Sequence, residues 1–199
     1  PEKVCVVCAI QTKATTNYFY SSKNNILSVN YKNNMAKKTG LFWLRNDFRI
    51  TKNYGLAEAT KNHEQVVVFY LYKKSTYKNQ EAQKWWLSKS LFNFEKKLND
   101  FNINLEVIKT DSFKVFFDKL FKKKEISIYW NKVYEPDYLK FDEYLSKNLK
   151  TNNIPFKICK GNTLNEIDEV KKGDGTPFKV FTPFWRNAEK YYFEKIPSK

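Results

Sequence analysis

From residue 40 onward the apolar positions fall into two kinds of run, and each kind dictates a different element. Leu41-Phe42-Trp43-Leu44, the stretch from Gln65 to Tyr72 (QVVVFYLY) and the stretch from Ile126 to Trp130 are apolar at nearly every residue. Such runs predict strands covered on both faces. Ile103, Leu105 and Val107 alternate with Asn104 and Glu106, and Ile154, Phe156 and Ile158 repeat the alternation, which predicts half-exposed strands. Between them lie helical patterns. A short helix is expected over 54–61, and a longer one over 80–101 with Leu87, Leu91, Phe94, Leu98 and Phe101 as its inward stripe. Asp111 is placed to cap a helix that buries Phe113, Phe116, Phe117, Leu120 and Phe121. Glu135-Pro136 opens a helix with Tyr138, Phe141, Leu145 and Leu149 inward, and Thr182-Pro183 is expected to start the last one, through Trp185, Ala188 and Tyr192.

Strands alternating with helices of this length define an α/β fold, a doubly wound five-stranded parallel sheet with right-handed crossovers and flanking helices. The two kinds of strand also suggest their order. The runs at 41, 65 and 126 belong inside the sheet and those at 103 and 154 at its edges, which the Rossmann-like order 3-2-1-4-5 satisfies. In that order the winding reverses between the first and fourth strands, and ligands bind at the carboxyl ends there. The loops Arg45-Asn46-Asp47 and Asn131 to Glu135 are thereby nominated as a site.

Composition changes this picture little. A net charge of +15 favours polyanionic partners, but the excess is nearly all lysine, spread along an Asn-rich chain, and steering requires a focused patch. No apolar run approaches the ~20 residues that cross a bilayer, and Pro1 to Ile10 lack the basic start of a signal peptide, so a cytoplasmic protein is expected. The first 34 residues have no sustained period; we expect 1–34 to be an upstream extension or disordered tail, with the domain running over 35–199 from Met35. Cys5 and Cys8 have half-zinc-site spacing, yet the sole histidine, His63, supplies no credible partner, and no metal site is expected. Neither phosphate-binding glycine fingerprint is present, and Gly173-Asp174-Gly175 reads as a turn.

Four segments carry a resemblance. Leu41 to Ile50 (LFWLRNDFRI) with Asn53 and Gly55-Leu56-Ala57-Glu58-Ala59, Trp85-Trp86-Leu87-Ser88-Lys89-Ser90-Leu91, Trp130 to Pro136 (WNKVYEP) and Gly175 to Trp185 (GTPFKVFTPFW) resemble, in order, the N-terminal α/β domain of the DNA photolyase/cryptochrome family. The resemblance implies an antenna-chromophore domain whose larger partner, a C-terminal helical domain with FAD, repairs cyclobutane pyrimidine dimers in UV-damaged DNA. That helical domain is expected to be missing from these 199 residues, so no catalytic residue is assigned.

The resemblance also implies site residues. Glu135 matches the family glutamate that contacts a folate-type antenna, Asn131 offers matched donor and acceptor groups to a heterocycle edge, and Arg45 lies beside them. Asp47 and Arg49, with Arg45, fit a salt-bridged loop scaffold, and Trp43, Trp85 and Trp86 fit core or interdomain packing. Val133 stands where deazaflavin-binding relatives carry an acidic residue, which favours methenyltetrahydrofolate over deazaflavin; the family also has members without an antenna. We expect a monomer with no membrane partner. The competing readings are a cryptochrome-type blue-light sensor and a free-standing α/β nucleotide- or nucleic-acid-binding module.

Overall fold

The computed structural model describes residues 39–123, 125–161, 163, 166 and 169–192; the extension over 1–34, Met35, Cys5 and Cys8 lie outside the described residues. In chain order the elements are β1 (Thr39–Leu44), α1 (Tyr54–Asn62), β2 (Val66–Tyr72), a 3-10 turn (Lys74–Tyr77), α2 (Glu81–Asn99) and β3 (Asn104–Lys109). They continue with α3 (Phe113–Leu120), β4 (Ile126–Asn131), α4 (Pro136–Thr151), β5 (Phe156–Cys159) and α5 (Phe181–Tyr192). The sheet order is β3-β2-β1-β4-β5, every pairing parallel, as the strand patterns predict.

The pleat explains why the central strands are apolar throughout. Alternate residues face opposite sides, so Leu41, Trp43, Phe69, Ile128 and Trp130 pack under α3 and α4, while Phe42, Leu44, Val68 and Tyr70 pack under α1 and α2. Every residue of β1, β2 and β4 is buried, whereas the edge strands β3 and β5 are partly exposed. Trp43 anchors the first layer, meeting Phe113, Phe117 and Phe141 edge-on with ring centroids 5.4, 4.9 and 5.8 Å away. Such pairs add about 0.5–1.5 kcal/mol each beyond the area they bury.

Asparagines close two of the helices. Asn102 and Asn153 hold φ of 56° and 55°. After each, an isoleucine amide reaches back, Ile103 to the Leu98 carbonyl at 3.1 Å and Ile154 to that of Leu149 at 2.9 Å. These are Schellman closures of α2 and α4 with Asn in the position Gly usually takes. The same closure corrects one expectation. Because α2 ends at Asn99, Phe101 is turned outward and is 61% exposed instead of completing the stripe of Leu87, Leu91, Phe94 and Leu98.

Three further expectations are corrected. Asp111 does not cap α3; Ser112 occupies the cap without a side-chain bond, and the turn is closed by Thr110, whose Oγ1 accepts from the Ser112 amide and donates to its carbonyl. The last helix begins at Phe181, so Thr182 and Pro183 fall inside its first turn, where proline needs no donor. Trp85 and Trp86 are exposed, at 43% and 65%, so of the two placements expected for them, core or interdomain packing, the first is excluded. They fall off the stripe that α2 buries, whereas Trp43 is fully enclosed.

Candidate functional site

Two loops leave the sheet at its switch point, one from β1 and one from β4, and a cleft of about 310 Å³ opens between them. Its lining includes Phe42, Trp43, Arg45 and Asp47 from the first, and Asn131, Val133, Tyr134 and Glu135 from the second. The structure thus brings together all three residues singled out from sequence, at the place the strand order nominated. The volume lies at the lower end of small-molecule pockets, about 300–1,000 Å³.

The β1 loop is held by side chains. Arg45 follows the last strand residue and runs into the interior, where its Nη1 donates to Asp142 Oδ2 at 3.2 Å and its Nη2 to Asp142 Oδ1. Both residues are buried, and Asp142 comes from the inward face of α4. The Arg45 guanidinium lies 4.1 Å from the Trp43 ring centre, 5.1 Å from that of Tyr138 and 6.0 Å from that of Trp130. Burial raises the Tyr138 phenol above its ordinary pKa, with Arg45 opposing the shift. Two residues on, Asp47 accepts from Arg49 Nε at 2.6 Å and from Arg49 Nη2 at 2.7 Å, a pair at the surface. The expected scaffold of Arg45, Asp47 and Arg49 is therefore two separate pairs, and the partner of Arg45 is on another element.

Asn131 fastens the two crossovers to each other. Its Oδ1 accepts from the Gly55 amide at 2.8 Å, and its Nδ2 donates to Asn53 Oδ1 at 2.8 Å and to Asp47 Oδ2 at 3.4 Å. Asn53 is in turn the N-cap of α1, accepting from the Leu56 amide at 3.1 Å. Only glycine permits this approach at 55, since a Cβ there would stand 2.6 Å from both Asn131 Oδ1 and Phe42 Cε2. The amide of Asn131 is occupied by the protein, so what it presents to the cleft is a fixed wall.

Glu135 has the opposite character. It is the N-cap position of α4, exposed, with no side-chain capping bond, and Pro136 follows as the first helical residue. A carboxylate at the start of a helix is favoured by the dipole, and here it stands at the rim of the cleft with acceptor capacity to spare. Beside it, burial pushes the Tyr134 phenol up to about 12, and its hydroxyl lies 3.1 Å from Thr163 Oγ1. Val133 adds an apolar side chain to the lining. The cleft therefore combines aromatic and apolar walls with polar and charged groups from both loops, Asn46 and Lys132 among them.

Asp142, the buried partner of Arg45, is the residue behind the site that the sequence pattern did not single out. The signal was present, because it sits four residues after Tyr138 and three before Leu145, on the apolar stripe of α4. A carboxylate in that position requires a buried cation. Among the described residues there is no group of three His, Cys, Asp or Glu side chains able to hold a metal, and no helix is long and apolar enough to cross a membrane.

An all-parallel doubly wound domain with its cleft at the switch point belongs to the Rossmann-like α/β class. Comparison with known proteins narrows the class. Residues 40–199 match the family model for DNA photolyase, and the chain belongs to that family. It is 28% identical over 157 residues to a deoxyribodipyrimidine photo-lyase of Agrobacterium fabrum, covering 78% of this chain and 33% of the relative. It is 30% identical over 151 residues to one of Alkalihalophilus pseudofirmus, covering 72% of this chain and 31% of the relative. Among solved structures, a bacterial class III photolyase from Agrobacterium tumefaciens superposes with a TM-score of 0.68 at 26% identity, over 80% of this chain and 33% of that one. The chain spans about a third of the length of these relatives.

Proposed function

We propose that this chain is the antenna-chromophore domain of a cyclobutane pyrimidine dimer photolyase. In this reading it gathers light in the switch-point cleft and passes the energy to an FAD held by a C-terminal helical domain. The whole protein would act on UV-damaged DNA as a cytoplasmic monomer, and this domain alone would repair nothing. The observation that carries the reading is the exposed Glu135 carboxylate, uncapped, at the mouth of an aromatic cleft in a chain that covers a third of its photolyase relatives.

The group that fits is methenyltetrahydrofolate. Its pterin ring is flat and offers N–H donors, which suit the two acceptor oxygens of Glu135, and the partly exposed Val133 and Tyr134 side chains give it apolar contact. Deazaflavin is disfavoured, since Val133 supplies no carboxylate to it. Bound methenyltetrahydrofolate would supply near-UV absorption; the protein's part is to bind, orient and exclude water. Arg45 and Asn131 would hold the floor and wall of the site, and Glu135 would make the direct contact.

The test is to load the full-length protein with methenyltetrahydrofolate and follow the bound near-UV band. Glu135→Ala is expected to lower occupancy about tenfold, the loss of one or two charge-assisted hydrogen bonds. Unchanged occupancy would clear Glu135 of the role. A full-length protein that removes no dimers under light would overturn the photolyase reading in favour of a light sensor.

A further inference from the structure

We propose that the outer face of α2 is a binding surface for single-stranded nucleic acid, separate from the cleft and independent of what the cleft holds. No residue lining the cleft comes from α2. The helix buries Leu87, Ser88, Leu91, Phe94 and Leu98 against the sheet. With about 3.6 residues per turn, the side turned away from them carries Trp85, Trp86, Lys89, Phe92, Lys96 and Lys97. Trp85 and Trp86 are exposed and meet edge to face, with ring centroids 5.4 Å apart. Lys89 Nζ lies 5.7 Å from the centre of the Trp85 ring, and Lys96 Nζ lies 4.5 Å from that of Phe92. Ring and ammonium therefore alternate along the helix, at spacings of four, three and four residues from Trp85 to Lys96.

The acids of α2 stand off this face. Glu81 is bonded to Lys84, and Glu95 lies close enough to Glu106 of β3 to raise its pKa. The lysine excess, spread thinly along the chain, is here gathered on one helix face that carries no carboxylate. A strand of unpaired bases matches both properties of the face: each base has a π-face to stack on an exposed ring, and each phosphate has a charge for a lysine. A duplex matches only the charge, because its bases are already stacked on one another. Packing against more protein suits the rings but not their neighbours, since lysine is depleted at the buried centre of protein interfaces. In a helix lying on a bilayer the rings and the lysines take opposite faces; on α2 they share one.

The experiment uses the full-length protein in the dark, without methenyltetrahydrofolate, and two lesion-free fluorescent probes of about 16 nucleotides, oligo-dT and oligo-U. Trp85→Ala/Trp86→Ala is expected to weaken binding about tenfold or more, through lost stacking. Lys89→Gln/Lys96→Gln/Lys97→Gln is expected to reduce the slope of log affinity against log salt by about 2, the share of three phosphate contacts on a single strand. Both variants change only the outer face of α2, so both are expected to unfold at the wild-type temperature. A photo-crosslinking base in the oligo-dT probe is expected to label α2. A loss confined to one probe would support the surface and name the sugar it prefers.

Wild-type affinity and salt slope in both variants would overturn the inference, as would crosslinks that avoid α2. So would protection of Trp85 and Trp86 from hydroxyl-radical oxidation in the free protein, which would show that another part of the chain covers the face. Binding to phosphatidylserine vesicles that the tryptophan variant abolishes, with neither probe bound, would overturn it in favour of a membrane surface. None of these readouts involves the cleft, so the antenna reading stands or falls separately.

Discussion

Arg45 and Arg49 stand four residues apart in one loop, each fastened to an aspartate, and they differ chiefly in their access to water. The Arg45–Asp142 side chains are 2% and 7% exposed, joining the loop to α4; the Arg49–Asp47 side chains are 48% and 11% exposed, joining the loop only to itself. In water an ion pair gains little, because solvent already stabilises both charges and salt screens them. In the interior the attraction is strong, but so is the cost of stripping water from each charge, so the pair as a whole adds little stability while either half alone is ruinous. The lesson is that the buried pair fixes a geometry, the angle of a guanidinium against Trp43, and the exposed pair shapes a turn.

The contrast can be broken at its strongest point first. Arg45→Met leaves the Asp142 carboxylate enclosed without its cation, and urea unfolding is expected to show a loss of about 3–5 kcal/mol. A loss below about 1 kcal/mol, the range of exposed pairs, would mean that water reaches Asp142 and that the pair is not buried in solution. Arg49→Met should cost less than about 1 kcal/mol, and the cost should shrink further in molar salt, since nearly half of that side chain is in solvent. A salt-independent loss as large as that at Arg45 would erase the distinction between the two pairs.

Glu106 on β3 is a third charged residue, unlike both arginines in that its environment works against its charge. Burial, and secondarily the Glu95 carboxylate, raises the Glu106 pKa above its ordinary value. The folded state then holds the Glu106 proton more tightly than the unfolded chain does. Its favourable contribution is present in acid and is lost as pH rises through the folded-state pKa. Glu106→Gln is accordingly expected to raise the melting temperature slightly at neutral pH, with the advantage closing as pH falls below the usual carboxylate range. An advantage that persists in acid would show that packing, and not charge, is responsible.

Much of the sheet could be read from the chain because burial on two faces leaves a compositional mark. Valine, phenylalanine and tyrosine at every position from 66 to 70 suit a strand with no face in water, and the strand order followed from it. Local competition was harder to read. Whether Asp111 or Ser112 precedes α3 depends on the Thr110 hydroxyl closing the turn, a small local preference that no pattern records. The end of α2 likewise turned on Asn102 accepting a left-handed conformation, which put Phe101 outside. For the site, position came from topology and was legible. Partners did not, because Arg45 and Asp142 are 97 residues apart and meet only after β1 and β4 have paired.

The bond from the Gly55 amide to Asn131 also bears on the order in which the molecule can assemble. It joins groups 76 residues apart, at the start of α1 and the end of β4. Long-range closures of this kind are late and slow, since the entropy of the intervening loop is lost before any contact compensates it. On the ribosome, β1, α1, β2, α2, β3 and α3 are all synthesised before residue 131, and until then the entrance to α1 has its local Asn53 cap but not the tie to β4. The two loops that frame the cleft therefore cannot be tied to each other until β4 has been made, and the Arg45–Asp142 pair must wait for α4 as well.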